Sequence, residues 1–317
     1  MSLPLQPPLE PQLARGKPEL PLGPHWTYEP KYDGFRAIAF VDGDRWTLQS
    51  RGGKPLERYF PELRFPPGRY VLDGEIVIDN PDPEGTEAED FNALSNRIHP
   101  AASRIALLAQ ETPAHYVAFD LLAAEDESLI GLPLAERRAR LEQLALPGID
   151  VTPTTTDPAA AEQWFDRAEG VVAKDLRAAY APGKRHNMIK IKRERTLDAV
   201  VAGYRPGKDA GTVGSLILGL YDDHDQLRVI GHCSGIKPAE KRALRDRLEA
   251  YETGQRGAGD PSRWKSEKEL EWIELRPELV VEVSFDHVSG GRIRHGTKLL
   301  RWRQDKPPAD CRLDQLH

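Results

Sequence analysis

Glu29-Pro30-Lys31-Tyr32-Asp33-Gly34-Phe35-Arg36, followed by the apolar run Ala37–Val41, is the stretch on which the reading of this chain turns. It sets one lysine among acids, with a glycine and an arginine behind it. An amine attacks only when deprotonated, and clustered cations or desolvation lower a lysine's pKa. Lys31 is therefore a candidate nucleophile. Gly34, lacking a Cβ, lets the backbone come close to a ligand. Arg36 can hold a phosphate or a sugar. By itself the string also describes a polar turn before a strand, so the reading depends on matching parts elsewhere.

Those parts follow in order. Ala37–Val41 and Trp46–Ser50 flank Asp42-Gly43-Asp44-Arg45, a hairpin signal. The second run ends at Ser50-Arg51-Gly52-Gly53, where Arg51 can meet a phosphate. Tyr70–Ile78 wraps Asp73-Gly74-Glu75 in apolar residues. Carboxylates in a strand built for burial need a partner, and a ribose hydroxyl or a metal ion would serve. Asp90–Ile98, Ala101–Ala109 and Pro133–Ala145 read as helices. His115–Leu122 reads as a strand carrying Phe119-Asp120; Phe119 is a core residue unless a nucleotide lies near, when it can stack on the base. Glu169-Gly170-Val171-Val172-Ala173-Lys174 is a second acidic strand, whose glycine leaves the carboxylate open to a hard metal. In Asn187–Lys192, alternation sends Lys190 and Lys192 to one face and Ile189 and Ile191 to the other. Two lysines on one face repel each other unless an anion such as phosphate lies between them.

With 317 residues the chain can form two cores. No apolar run approaches the roughly 20 residues of a membrane span. The proline-rich start lacks the order of a signal peptide and reads as an extended lead-in. Two cysteines, Cys233 and Cys311, exclude a disulfide framework and a four-cysteine zinc site, which fits a reducing cytoplasm. A net charge of -6 excludes a uniformly basic coat. Two basic stretches, from Lys184 to Arg195 and from Arg292 to Lys306, still offer local nucleic-acid surfaces. Beyond Arg195, Leu197–Tyr204, Ser215–Tyr221, Leu227–Cys233, Leu279–Phe285 and Thr297–Trp302 read as strands, with one helix near Pro238–Tyr251. Five short strands and a helix fit a closed OB-fold barrel.

Together these pieces resemble the covalent nucleotidyltransferases and, within them, the ATP-dependent DNA ligases. The likeness runs from about Glu29 to Lys306. It is carried by Lys31-Tyr32-Asp33-Gly34-Phe35-Arg36, Ser50-Arg51-Gly52-Gly53, Asp73-Gly74-Glu75 and Phe119-Asp120. It continues through Glu169-Gly170-Val171-Val172, Lys190-Ile191-Lys192 and Arg303-Gln304-Asp305-Lys306. The type it is most similar to is the short stand-alone bacterial ligase C, related to the ligase module of ligase D. The resemblance implies an α+β protein. An adenylation (nucleotidyltransferase, ATP-grasp-like) domain of antiparallel sheets and helices would occupy 1–194, and a C-terminal OB-fold β-barrel 195–317.

The resemblance also implies a reaction. Lys31 would take AMP from ATP, pass it to a DNA 5′-phosphate, and a 3′-hydroxyl would displace it to seal the nick. Lys190 and Lys192 would hold the α-phosphate, and Glu169 would bind Mg²⁺ or Mn²⁺, with Asp73 and Glu75 as further metal candidates. Glu29 would read the adenine amino group, Glu75 the ribose, and Phe119 would stack on the base. Arg36 and Arg51 would sit near the sugar or the DNA phosphate, and Arg193 would join them on DNA. Arg303, Asp305 and Lys306 would orient the pyrophosphate, swinging on a hinge near Arg193–Leu197. Only about 28 residues precede the lysine motif, so weak, salt-sensitive DNA binding is expected of a monomer acting in DNA repair, with end-joining or gap-filling proteins as candidate partners. Two alternatives stand beside this: an RNA ligase or mRNA-capping-type nucleotidyltransferase, and a non-catalytic nucleic-acid-binding OB-fold protein.

Overall fold

The computed structural model describes residues 3–81, 88–192, 195–257, 271–285, 288–289, 291–293 and 297–316. The chain divides into two compact units, Met1–Arg193 and Glu194–His317.

Among the described residues the first unit contains two sheets. The larger is the expected hairpin extended by neighbours, in the order Arg45–Ser50, Phe35–Gly43, Gly68–Val77, His115–Ala124 and Glu127–Ser128. Gly43 takes a positive φ of 67° at the hairpin turn, which suits glycine. Apolar side chains alternate onto a core of Ala37, Val41, Leu48, Leu72, Ile76 and Leu121. The helix Leu134–Leu144 is tied to this sheet by Arg137, whose guanidinium donates to both oxygens of Asp120 at 2.8 Å. Asp90 caps the short helix Phe91–Asn96 by accepting from the Ala93 amide at 2.9 Å.

The smaller sheet carries the chemistry. Its order is Arg15–Gly16, Met188–Lys192, Gly170–Asp175 and Trp26–Lys31. Lys31 therefore ends a strand rather than sitting in a turn. Pro30 hid that strand in the sequence. Proline cannot donate to a ladder, but Trp26–Lys31 lies at the end of the sheet order, where a missing N–H is tolerated. Tyr28, Val171, Ala173, Ile189 and Ile191 form the buried side of the sheet.

The N-terminal lead-in is extended as expected, and it is also packed. Leu3, Leu5 and Leu9 join a small core with Phe40, Val71 and Leu122. Leu9 and Gln49 exchange two hydrogen bonds, at 2.9 and 2.6 Å. Arg15–Gly16 then pairs in parallel with the strand that holds Lys190.

The second unit is a curled antiparallel sheet around one apolar core that includes Val200, Tyr204, Leu216, Leu218, Val281 and Phe285. The long strand Arg195–Pro206 pairs with Val213–Tyr221 along one side. Along the other it pairs first with Val280–Phe285 and then with Trp272–Leu275. A strand shared in this way, with register shifts at Val201/Gly203 and Arg205/Pro206, bends the sheet as an OB-type barrel requires. Leu227–Cys233, Lys298–Trp302 and the helix Lys241–Glu249 fall where expected. Glu252–Gly257 and Trp272–Leu275 are additional strands. Among the described residues no helix is long and apolar enough to cross a membrane.

Candidate active site

The register of the smaller sheet builds the site. Lys31 lies opposite Gly170, and Gly170 opposite Lys192. One step along, Glu29 lies opposite Val172, and Val172 opposite Lys190. Directly paired residues project to the same face. Two rows across three strands thus bring Glu29, Lys31, Lys190 and Lys192, charges from two distant segments, to one side of the sheet. That side opens on a cavity of about 200 Å³, lined among others by Glu29, Lys31, Arg36, Glu75, Phe119 and Lys190. Arg51 reaches the same cavity from the hairpin's far end.

Glu169 is the centre of the cation group. Its carboxylate pairs with the Lys31 ammonium through one oxygen and with Lys192 Nζ at 2.6 Å through the other. Its backbone N–H also donates to the Lys31 carbonyl at 3.1 Å. Burial alone would raise its pKa, but Lys31 and Lys192 outweigh burial and hold it below the ordinary carboxylate value. Burial, with Lys31 and Lys192 adding like charge, depresses the pKa of Lys190.

The glycine beside Glu169 has a different purpose from the one expected. A Cβ at Gly170 would collide with the Ile191 carbonyl, so it is the close approach of the neighbouring strand that requires glycine. Gly34 likewise packs on its own protein: a Cβ there would lie 2.6 Å from Glu75 Cγ.

The remaining carboxylates divide by partner. Glu29 is buried against Lys174, with Nζ and Oε2 2.6 Å apart. Burial raises its pKa against the opposing pull of Lys174. Glu75 lines the cavity, and burial pushes its pKa up to about 8, with Lys31 and Arg36 opposing. Asp73 is wholly buried. It accepts from Arg36 Nε at 2.8 Å, from Arg36 Nη2 at 2.6 Å and from the Tyr180 hydroxyl at 2.6 Å. Both its oxygens are thus engaged, and it is left out of the metal set proposed below. Phe119 stands between cations, with Arg36 Cζ 4.9 Å and Lys174 Nζ 4.4 Å from its ring centre.

The other expected residues lie in the second unit, and one neighbour organises them. Arg303 Nη1 donates to both oxygens of Asp198 at 2.9 Å, and Lys306 Nζ donates to Asp198 at 3.0 Å. Arg303 also forks onto Asp305, which it holds at a pKa of about 2. Arg193 and part of the expected hinge lie outside the described residues.

Residues 19–192 match the family model described as ATP dependent DNA ligase domain, and residues 209–306 match the ATP dependent DNA ligase C terminal region. The chain is 44% identical over 335 residues to DNA ligase C1 of Mycolicibacterium smegmatis, covering 100% of this chain and 96% of that protein. The chain belongs to the ATP-dependent DNA ligases. It is also 43% identical over 351 residues to DNA ligase C of Mycobacterium tuberculosis, with the same coverage. Among solved structures, the ligase domain of M. tuberculosis LigD is 26% identical with a TM-score of 0.52, covering 96% of this chain and 97% of that one. A mycobacterial DNA ligase D complexed with ATP and MES is 27% identical, with the same TM-score and coverage.

In this ligase, sequence reasoning missed Lys174, Asp198 and Tyr180. Lys174 and Asp198 sit in strands read correctly as strands, and each is a charge in a mostly buried run. That is the signal by which Asp73 and Glu75 were found, and it would have found these two as well. Leu13 and Ala14, which also line the cavity, carry no such signal.

Proposed function

We propose that this ligase seals nicks bearing a 5′-phosphate and a 3′-hydroxyl, through a lysyl-AMP on Lys31 and a DNA-adenylate, as a monomer acting in DNA repair. The observation that supports this most is the Glu169 carboxylate held between Lys31 and Lys192, with Lys31 and Lys190 lining the adjoining cavity.

In the first step the Lys31 nitrogen bonds to the α-phosphorus of ATP while the bond from that phosphorus to the bridging oxygen breaks, releasing pyrophosphate. Lys31 must shed a proton first. Lys190 and Lys192 then neutralise the α-phosphate. Glu29 reads the base, Glu75 meets the ribose, and Phe119 packs beside adenine. Arg36 and Arg51 contact the sugar and later the DNA 5′-phosphate, where Arg193 joins them. Arg303, Asp305 and Lys306 orient the pyrophosphate.

A divalent cation, Mg²⁺ or Mn²⁺, would be held by Glu169. Among the described residues no three His, Cys, Asp or Glu side chains converge on one point. The donor set is therefore at most two carboxylates, Glu169 with Glu75 as a second candidate, plus substrate phosphates, a division of ligands that suits Mg²⁺. Bound there, the cation would shield phosphate charge.

The test is intact mass before and after incubation with ATP and Mg²⁺, paired with sealing of a labelled nicked duplex. One added AMP, absent from Lys31→Ala, is expected. An adduct that persists in Lys31→Ala overturns the assignment of the nucleophile.

A further inference from the structure

The buried polar chain that leads from the N-terminal segment into the nucleotide site has no part in the roles given above. It starts at Gln12, which is 4% exposed. The Gln12 backbone N–H donates to the Tyr180 hydroxyl oxygen at 2.9 Å. The Tyr180 hydroxyl donates onward to Asp73, and Asp73 grips the Arg36 guanidinium through two hydrogen bonds. Arg36 lines the cavity. The Gln12 side chain locks the start of the chain in place, donating to the His186 carbonyl at 2.6 Å and accepting from the Ala181 amide at 3.0 Å. The next two residues, Leu13 and Ala14, are cavity wall.

We propose that Gln12 and Tyr180 are positioning residues for Arg36, and that the segment 3–17 is a working wall of the nucleotide site rather than a tail. This rests on the reading of Arg36 as a contact to the bound nucleotide. The physical reason is orientation. A guanidinium fork takes its plane from the carboxylate it pairs with. Asp73 is itself free to turn about two bonds unless a third donor holds it, and the Tyr180 hydroxyl is that donor. Burial and the neighbouring Asp73 charge keep the phenol protonated, so that it always donates. Tyr180 in turn is the acceptor for a buried N–H that otherwise has no water to turn to. Removing the hydroxyl therefore loosens the carboxylate on one side and the segment on the other.

A purely structural role for Tyr180 predicts a loss that is independent of Arg36, and a positioning role predicts one that vanishes without it. The experiment is a double-mutant cycle read by single-turnover lysyl-AMP formation across ATP concentrations, with thermal melting measured in parallel. Tyr180→Phe is expected to raise the ATP concentration for half-maximal adenylation about ten-fold, the scale of a lost hydrogen bond to a charged group. In the Arg36→Ala background the same change is expected to add nothing. Gln12→Ala goes through the same cycle, so the result does not depend on one variant folding. Equal losses in both backgrounds overturn the proposal. Failure of the parent chain to form any adduct instead overturns the proposed reaction, a separate outcome.

Discussion

Each unit of this ligase holds one carboxylate between two cations, and the two clusters are built for different behaviour. Glu169 lies between Lys31 and Lys192; Asp198 lies between Arg303 and Lys306. The two carboxylates are equally shielded, each 11% exposed. Around Glu169 both partners are ammonium groups, and one of them, Lys31, lines the cavity. Around Asp198 the main partner is a guanidinium that touches both oxygens and also grips Asp305. An ammonium is a hydrated point charge that changes partner readily, whereas a guanidinium fork fixes a plane. The first cluster is thus suited to give up its cations to phosphate, and the second to hold two cations in a set orientation.

The largest effect expected is at Lys31. Lys31→Ala removes the only amine that both ends the Trp26–Lys31 strand and meets Glu169, and is expected to abolish the adduct and slow sealing by at least ~10³-fold. Mass spectrometry and a gel assay read the two. If the exchange argument is right, Glu169→Gln comes next, with lysyl-AMP formation slowed about 100-fold and the Mg²⁺ dependence weakened. A metal titration of adenylation checks this, and an unaltered titration would separate Glu169 from the cation.

The second cluster is sharpened by Asp198→Asn. Loss of charge there frees Arg303 and Lys306 from their anchor. A loss of about ten-fold is expected in lysyl-AMP formation, and a smaller one in sealing a pre-adenylated nick. Comparing the two rates on one preparation tests it.

The smallest effect is a pH dependence. The pKa of Glu75 in the folded protein is about 8, above the usual glutamate value, so the folded state holds a proton that the unfolded chain releases. Stability from this group is complete below the ordinary glutamate pKa and is lost as pH rises to about 8. Glu75→Gln is expected to flatten the fall in melting temperature between pH 5 and pH 8, followed by calorimetry.

Much of the first cluster was legible in the residues, whereas Arg303 and Lys306 of the second came only through the family likeness and Asp198 was missed. Lys31, Glu169, Lys190 and Lys192 stand out because each is a charge next to an apolar run, where an unpaired charge is costly. Strand alternation put Lys190 and Lys192 on one face. The Trp26–Lys31 strand was not legible, because Pro30 argues against a strand except at an edge, and edges are decided by the whole sheet. Glu252–Gly257 was missed because Glu-Thr-Gly-Gln-Arg-Gly has no apolar alternation to reveal it.

By itself the sequence determined which groups carry charge into the interior and in what order the strands would present them, since the two-residue period and the cost of burying charge are local rules. Tertiary structure alone decided who meets whom. Glu169 reaches a lysine 138 residues away, Asp198 an arginine 105 away, and Gln12 a tyrosine 168 away. Pairings at such separations follow from sheet register and from the closing of the chain on itself, and neither is written in any short stretch of residues.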